Sequence, residues 1–317
     1  MRIPYFDRKV QTHTPPWWGL AGVGILSLGL LALIWDIELW NIIWYVPAWY
    51  GYLLILDAMI FMAQRRSFVS HRKREALAML FWSVPFWYLF EAYNIVLKNW
   101  YYVFGLHTDW IAVLFEIIAF ATVLPACLVH AELLKAFGCW ADIRWNSLTV
   151  SHQLQRSILV LGFICIILPL LMPRTAFWLV WGAALAIPEV INFRCGSASL
   201  LRDLEAGKPG RMLRLLAGGA LAGIAWEGFN YWARCKWIYT VPGLEDWKIF
   251  EMPILGFLGF PVLALNAFAF YSFICHFIRG GKHWEETDTS LKKPATRLRY
   301  WIAVAGASTF SCIVGAA

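Results

Sequence analysis

Charge is scarce in this 317-residue chain: Asp, Glu, Lys and Arg make up 15% of it, while 60% is hydrophobic. Soluble domains carry about a quarter charged residues, and a core solvated by water cannot absorb so much apolar surface. A bilayer can, because lipid-facing positions must themselves be apolar. Paired cysteine motifs are also missing. The seven cysteines (Cys127, Cys139, Cys165, Cys195, Cys235, Cys275 and Cys312) show neither CxxC nor zinc-ligand spacing, so no metal site is expected. Several fall inside apolar runs, where a thiol behaves as a small hydrophobe. There is no Asp-rich diphosphate motif, HExxH, GxSxG or P-loop, which removes the usual signatures of metalloproteases, serine hydrolases and nucleotide binders. The first apolar run follows Pro15-Pro16-Trp17-Trp18 and lacks a small-residue cleavage site, so it reads as a signal anchor. Although the net charge is +7, no contiguous basic domain exists, and nucleic acid is not an expected partner.

What is present is a series of apolar runs, at 17–35, 45–63, 76–97, 110–134, 157–173, 176–193, 212–232, 249–278 and 300–316. Each approaches the ~20 residues that a helix needs to cross hydrocarbon. The spacing predicts an all-α integral membrane protein of about nine transmembrane helices, with the fifth and sixth runs close enough to form one broken hairpin. Of the 27 Lys and Arg residues, 22 fall before the first run or in alternate loops; only Lys98, Arg174, Arg234, Lys236 and Lys248 fall in the others. Basic loops stay cytoplasmic, so the expected topology is N-terminus in and C-terminus out, multi-pass, in the cell's inner (plasma) membrane.

The chain also repeats itself. Phe90-Glu91-Ala92-Tyr93-Asn94 reappears as Trp226-Glu227-Gly228-Phe229-Asn230, and Trp100-Tyr101-Tyr102 as Trp237-Ile238-Tyr239. Asp109-Trp110 then matches Asp246-Trp247, Phe115-Glu116 matches Phe250-Glu251, and Pro125 matches Pro261. Trp49 with Asp57 and Trp181 with Glu189 share an eight-residue offset. Ordered self-similarity of this length marks a duplicated unit. The expected division is a first four-helix repeat over 1–150, a second over 151–280, and a linker with a terminal helix over 281–317. An even helix count per unit gives both copies the same orientation, related by a pseudo-twofold axis along the membrane normal.

Four carboxylates occupy corresponding places: Glu91 and Glu116 in one half, Glu227 and Glu251 in the other. An ionised acid at mid-bilayer costs a few kcal/mol even on mild insertion scales, so it is expected to face protein, water or a partner. A buried neutral acid is also a proton donor. Asn94 and Asn230 stand one helical turn beyond Glu91 and Glu227, so interhelical hydrogen bonding is an equally good reading of these pairs. Most of the 20 tryptophans fall near span ends, where an aromatic belt accounts for them. Trp100, Trp226 and Trp237 join Asn94 and Asn230 as candidate ligand contacts, since an aromatic face near an acid stabilises a cation. His130 and His276 fall toward the inner span ends without spacing that supports haem.

The second motif copy, with Ile249-Phe250-Glu251-Met252-Pro253-Ile254-Leu255-Gly256-Phe257 following it, resembles the lycopene-cyclase domain found in heterodimeric or fused carotenoid cyclases. The resemblance covers roughly 80–135 and 215–270. It implies that Glu116 and Glu251 occupy the first family glutamate, and Glu91 and Glu227 the earlier acid. It also implies a redox-neutral reaction without metal or cofactor, in which an acid protonates a linear carotene and the cation closes a ring. The proline before the glutamate and the second acid after it are both missing, with Ile117 and Met252 standing in the latter place. Three readings therefore stand side by side: an enzyme on a carotenoid or related isoprenoid, a non-catalytic membrane subunit that binds pigment or lipid or scaffolds other subunits, and a proton-coupled transporter.

Overall fold

The computed structural model describes residues 14–103, 109–241, 247–279 and 284. The chain runs as helices α1 (Trp17–Ile34), α2 (Glu38–Ile43), α3 (Tyr45–Gln64), α4 (Phe68–His71) and α5 (Lys73–Leu97), then strand β1 (Trp100–Val103). Helices α6 (Asp109–Phe120), α7 (Val123–Ala136), α8 (His152–Leu171) and α9 (Pro173–Ala176) follow, with a 3₁₀ segment at Phe177–Gly182. Next come α10 (Ala186–Cys195), α11 (Leu200–Glu205), α12 (Gly210–Trp232), and strands β2 (Lys236–Tyr239), β3 (Lys248–Ile249) and β4 (Met252–Pro253). A second 3₁₀ segment, Ile254–Leu258, leads into α13 (Gly259–Arg279). The expected linker and ninth helix at 300–316 lie outside the described residues.

The fold is all-α, and among the described residues six helical stretches are long and apolar enough to cross a membrane: 17–34, 45–64, 110–136, 152–171, 173–195 and 254–278. On α8, Val160, Leu161, Phe163, Ile164 and Ile167 are all exposed. Exposed apolar surface on that scale is a liability in water and the normal condition against lipid. α5 and α12, at 25 and 23 residues, are the longer inner helices and bury the aromatic core that includes Phe86, Phe90 and Trp226.

Three apolar runs are interrupted; two of the breaks are stitched by a polar side chain from a neighbouring element and the third by a backbone hydrogen bond. Between α6 and α7, Ser83 Oγ donates to Phe120 O at 2.5 Å and accepts from Leu124 N at 2.9 Å. After the first 3₁₀ segment, Asn266 of α13 accepts from Ala184 N at 3.1 Å and donates to Trp181 O at 2.5 Å. The run expected as a span from 249 begins instead with the β3–β4 hairpin and the second 3₁₀ segment, where Ile254 N donates to Trp247 O at 2.9 Å. Backbone groups freed inside a membrane need such partners.

Charged segments gather at two ends. At one end, Glu132 pairs with Arg72 (3.0 Å) and Lys135 (3.5 Å), Arg211 pairs with Asp203 (2.8 Å), and Arg214 donates to Cys139 O. Asp57 of α3 accepts from Ser67 Oγ, Phe68 N and Val69 N, capping α4. Glu189 of α10 accepts from Ser199 Oγ and Leu201 N, capping α11 in the same way. Both caps satisfy amides that open a helix. At the other end, Arg234 pairs with Asp36 at 3.0 Å, Lys236 pairs with Glu251 at 2.6 Å, and Thr240 Oγ1 donates to Lys98 O at 2.7 Å.

Candidate functional site

The two Trp-x-Tyr segments pair with each other. β1 and β2 run antiparallel with Trp100 opposite Tyr239, Tyr101 opposite Ile238 and Tyr102 opposite Trp237. That register turns one segment onto the other about its central pair. Each strand is fastened to the helix before it by the motif asparagine. Asn94 Nδ2 donates to Trp100 O at 2.8 Å, and its Oδ1 accepts from Asn99 N (2.8 Å) and Trp100 N (3.2 Å). Asn230 Nδ2 donates to Trp237 O at 2.9 Å, and its Oδ1 accepts from Trp237 N at 3.0 Å. Neither amide bonds the glutamate one turn away, and neither is on the described lining of the cavity that these strands wall; each fastens a strand to its helix, in place of the interhelical bridge expected from its helical spacing.

The paired strands present their tyrosines to the helix glutamates. Glu91 Oε1 accepts from Tyr102 OH (2.5 Å), Trp87 Nε1 (2.9 Å) and Trp100 Nε1 (3.2 Å). Glu227 is fully buried; its Oε1 accepts from Tyr239 OH at 3.0 Å, and its Oε2 meets no donor among the described residues. Burial, and then the neighbouring carboxylate, push the Tyr239 phenol well above its ordinary range, so the phenol donates and the carboxylate accepts. Tyr102 and Tyr239 were within reach of sequence reasoning. They end the matched Trp-x-Tyr segments, eleven and twelve residues after their glutamates.

These strands wall a cavity of about 750 Å³ that draws its lining from both halves of the chain, a size within the ~300–1,000 Å³ of small-molecule sites. Trp87, Trp100 and Tyr102 meet Trp226, Trp237 and Tyr239 across it, with the 3₁₀ segment Phe177–Gly182 and the start of α13 completing the wall. The Trp87 ring centroid lies 6.0 Å from that of Trp100 and 6.1 Å from that of Trp226, whose own ring stacks on Phe260 at 6.0 Å. Trp226 Nε1 donates to Tyr45 OH, which fixes the indole against the cavity. Of the expected ligand contacts, Trp100, Trp226 and Trp237 thus line the space.

The four glutamates do not play one role. Glu116, on α6, is the only charged side chain on the described wall, and among the described residues no donor reaches its carboxylate. Glu91 and Glu227 stand behind the wall, bonded to the tyrosines that form part of it. Glu251 is not in a helix: it sits in the turn between β3 and β4, after Phe250 in the left-handed region (φ 58°), and its carboxylate is paired with Lys236. The equivalence of Glu251 with Glu116 therefore stops at sequence, since one acid faces the cavity and the other an ammonium group.

The histidines have structural partners. His130 Nδ1 lies 2.6 Å from Ala126 O, the i−4 carbonyl, which makes that nitrogen the donor and leaves Nε2 to accept from Tyr52 OH at 2.9 Å. His276 Nδ1 meets Ser197 Oγ at 3.0 Å. Compared with models of protein families, with curated proteins and with solved structures, the chain matches none.

Proposed function

We propose that this chain is a multi-pass protein of the cell's inner (plasma) membrane that binds a carotenoid or similar isoprenoid in the aromatic cavity, with Glu116 as the acid that meets the ligand. The observation that carries this reading is the wall itself: indole and phenol rings from both halves surround one carboxylate that meets no hydrogen-bond donor among the described residues. Such a wall excludes water and stabilises positive charge on a bound chain. In its acid form Glu116 gives a proton to a terminal alkene carbon. The cation closes on a neighbouring double bond, and loss of a ring proton to the carboxylate restores neutrality, an acid-catalysed cyclisation of lycopene type. Tyr102 and Glu91 hold the strand that carries the wall.

The reading extends to architecture. Two copies of a four-helix unit followed by a ninth helix, related by a pseudo-twofold axis, account for the matched asparagine fasteners, the matched glutamate–tyrosine bonds and the matched caps at Asp57 and Glu189. We take the cytoplasmic end to be the one that carries Arg72, Lys135, Arg211 and Arg214; its basic side chains support a topology with the N-terminus inside.

A second reading, a non-catalytic subunit that holds pigment or lipid for a larger assembly, is favoured by the engagement of Glu91, Glu227 and Glu251 with their own chain. Expression in a lycopene-accumulating bacterial host separates the two. Cyclic carotenes in the cell extract, lost in Glu116→Gln, support the enzyme. Unchanged lycopene that co-purifies with the protein supports the holding subunit. A purified protein free of any polyene or isoprenoid overturns both.

A further inference from the structure

The cavity wall is open on one side. Leu161, Trp178, Leu255 and Leu258 line it while being 51%, 59%, 59% and 68% exposed. Leu161 belongs to the apolar face of α8 together with Val160, Ile164 and Ile167, which are also exposed. Trp178 belongs to the 3₁₀ segment Phe177–Gly182, every residue of which lines the cavity. Leu255 and Leu258 belong to the 3₁₀ segment Ile254–Leu258. The two segments approach each other where Gly259 abuts the Trp181 ring; a Cβ at Gly259 would lie 3.1 Å from it. Non-helical backbone persists at membrane depth only where protein covers it or where it lines a cavity. Both 3₁₀ segments fall at this opening, and the described residues that line it there, Leu161, Trp178, Leu255 and Leu258, are uncharged.

We propose that the opening is a lateral portal between α8 and the two 3₁₀ segments, through which a neutral lipid dissolved in the bilayer enters the cavity. The proposal rests on the reading that the cavity is the ligand site, and it narrows the ligand by charge. Among the described lining residues there is one carboxylate, Glu116, and no Lys, Arg or His. A phosphate, diphosphate or fatty-acid carboxylate taken inside would be desolvated with no cation among the described lining residues to pair with, an arrangement that proteins avoid. A hydrocarbon or an isoprenoid alcohol pays no such penalty. The alcohol can also donate a hydrogen bond to Glu116.

Cys235 reports on access, because it lines the cavity and is a free thiol. The full chain in lipid nanodiscs is treated with N-dodecylmaleimide, which dissolves in the bilayer, or with a sulfonated maleimide confined to water, and alkylated cysteines are mapped by peptide mass spectrometry. Cys235 is expected to react with the dodecyl reagent faster than with the sulfonated one. Leu161→Trp or Leu258→Trp should slow the dodecyl reaction about tenfold, equivalent to roughly 1.4 kcal/mol of added barrier. Ile164→Trp, on the same face of α8 but away from the cavity, should leave it unchanged, and Tm checks that all three variants fold. Preloading with farnesol should protect Cys235, whereas dodecyl phosphate should not. Unaltered rates in both portal variants, faster labelling from water, or protection by the phosphate would overturn the proposal. Portal-dependent labelling of a protein that carries no polyene in the lycopene host would leave the portal standing and sink the carotenoid reading.

Discussion

Replacing Asn94 by Ala removes three hydrogen bonds at 2.8–3.2 Å that tie β1 to the end of α5. At about 0.5–1.5 kcal/mol net per bond, the loss is roughly 3 kcal/mol. Replacing Asn230 by Ala removes only two bonds, but Asn230 is fully buried and Asn94 is not. The orphaned Trp237 amide and carbonyl then find no water in exchange, and the cost is again about 2–3 kcal/mol. At roughly 2–4 °C per kcal/mol, each variant should melt several degrees below the parent when followed by tryptophan fluorescence in detergent. Because both asparagines hold the same two-stranded sheet, the double variant should lose less than the sum of the single losses, as expected for residues sharing one element. Amide exchange at Trp100 should accelerate in Asn94→Ala, and ligand retention should fall only together with stability. An Asn94→Ala protein that loses its ligand at unchanged Tm would refute this reasoning and make the amide a ligand contact.

Three further outcomes follow from the packing. Gly218→Ala should destabilise by about 1–3 kcal/mol through overpacking, because its Cβ would meet the Ala131 backbone nitrogen at 2.9 Å; Gly228→Ala, with nothing within 4 Å, should be neutral or stabilise by about 0.5–1 kcal/mol in thermal melts. Arg72→Ala should cost about 3–5 kcal/mol, since it strands Glu132 in a pair whose side chains are both 6% exposed; a melt that matches the parent would show that Lys135 alone suffices. In intact cells, a cysteine introduced at Arg66 should resist a reagent confined to the outside, and ready labelling there would reverse the topology.

Hydropathy pointed to nine apolar runs, of which six described stretches, not including those at 76–97 and 212–232, are long and apolar enough to cross a membrane; it did not show their interruptions. It registers how apolar a segment is and is blind to whether the backbone stays helical, so the breaks at 121–122, 177–182 and 254–258 were hidden inside continuous apolar runs. Ser83 and Asn266, which repair two of them, gave no periodic signal. The repeat drew attention to residues that line the cavity or bond to its wall, and its small gaps carried more information than its matches. Seven residues separate Asp109 from Glu116, but only five separate Asp246 from Glu251. One helical register cannot serve both, and Glu251 turns out to occupy a hairpin turn. The asparagines were read along a helix, as i,i+3 partners of their glutamates. Their partners are backbone groups five to seven residues later, at or just before the strands, which helical periodicity does not reach. The same bias hid Tyr102 and Tyr239, whose hydroxyls return to the helix glutamates only because the chain reverses into a strand.

The position of the cavity follows from a difference between the two motif helices. Counting back 136 residues from the matched pentads sets Gly218 and Gly223 of α12 against Trp82 and Trp87 of α5. On α12, Gly218 lets the helix lie against the backbone of α7 at Ala131, and Gly223 receives the Phe260 ring. That side of the molecule is closed by direct helix contact, and Trp49 and Phe229 pack beside it with ring centroids 5.5 Å apart. On α5 the matched positions carry indoles, too large for such an approach, and Trp87 lines the cavity. Where α12 has Gly223, α5 presents the Trp87 indole to the enclosed space. The described helices thus pack tightly along the glycine-bearing flank of α12 and enclose the cavity along the other, where Glu116 and the two 3₁₀ segments line the wall. Filling that flank from the other side, by replacing Gly259 next to the Trp181 ring with a larger residue, should shrink the cavity and lower ligand occupancy without disturbing the glycine-packed flank, and an occupancy equal to the parent's would place the ligand elsewhere.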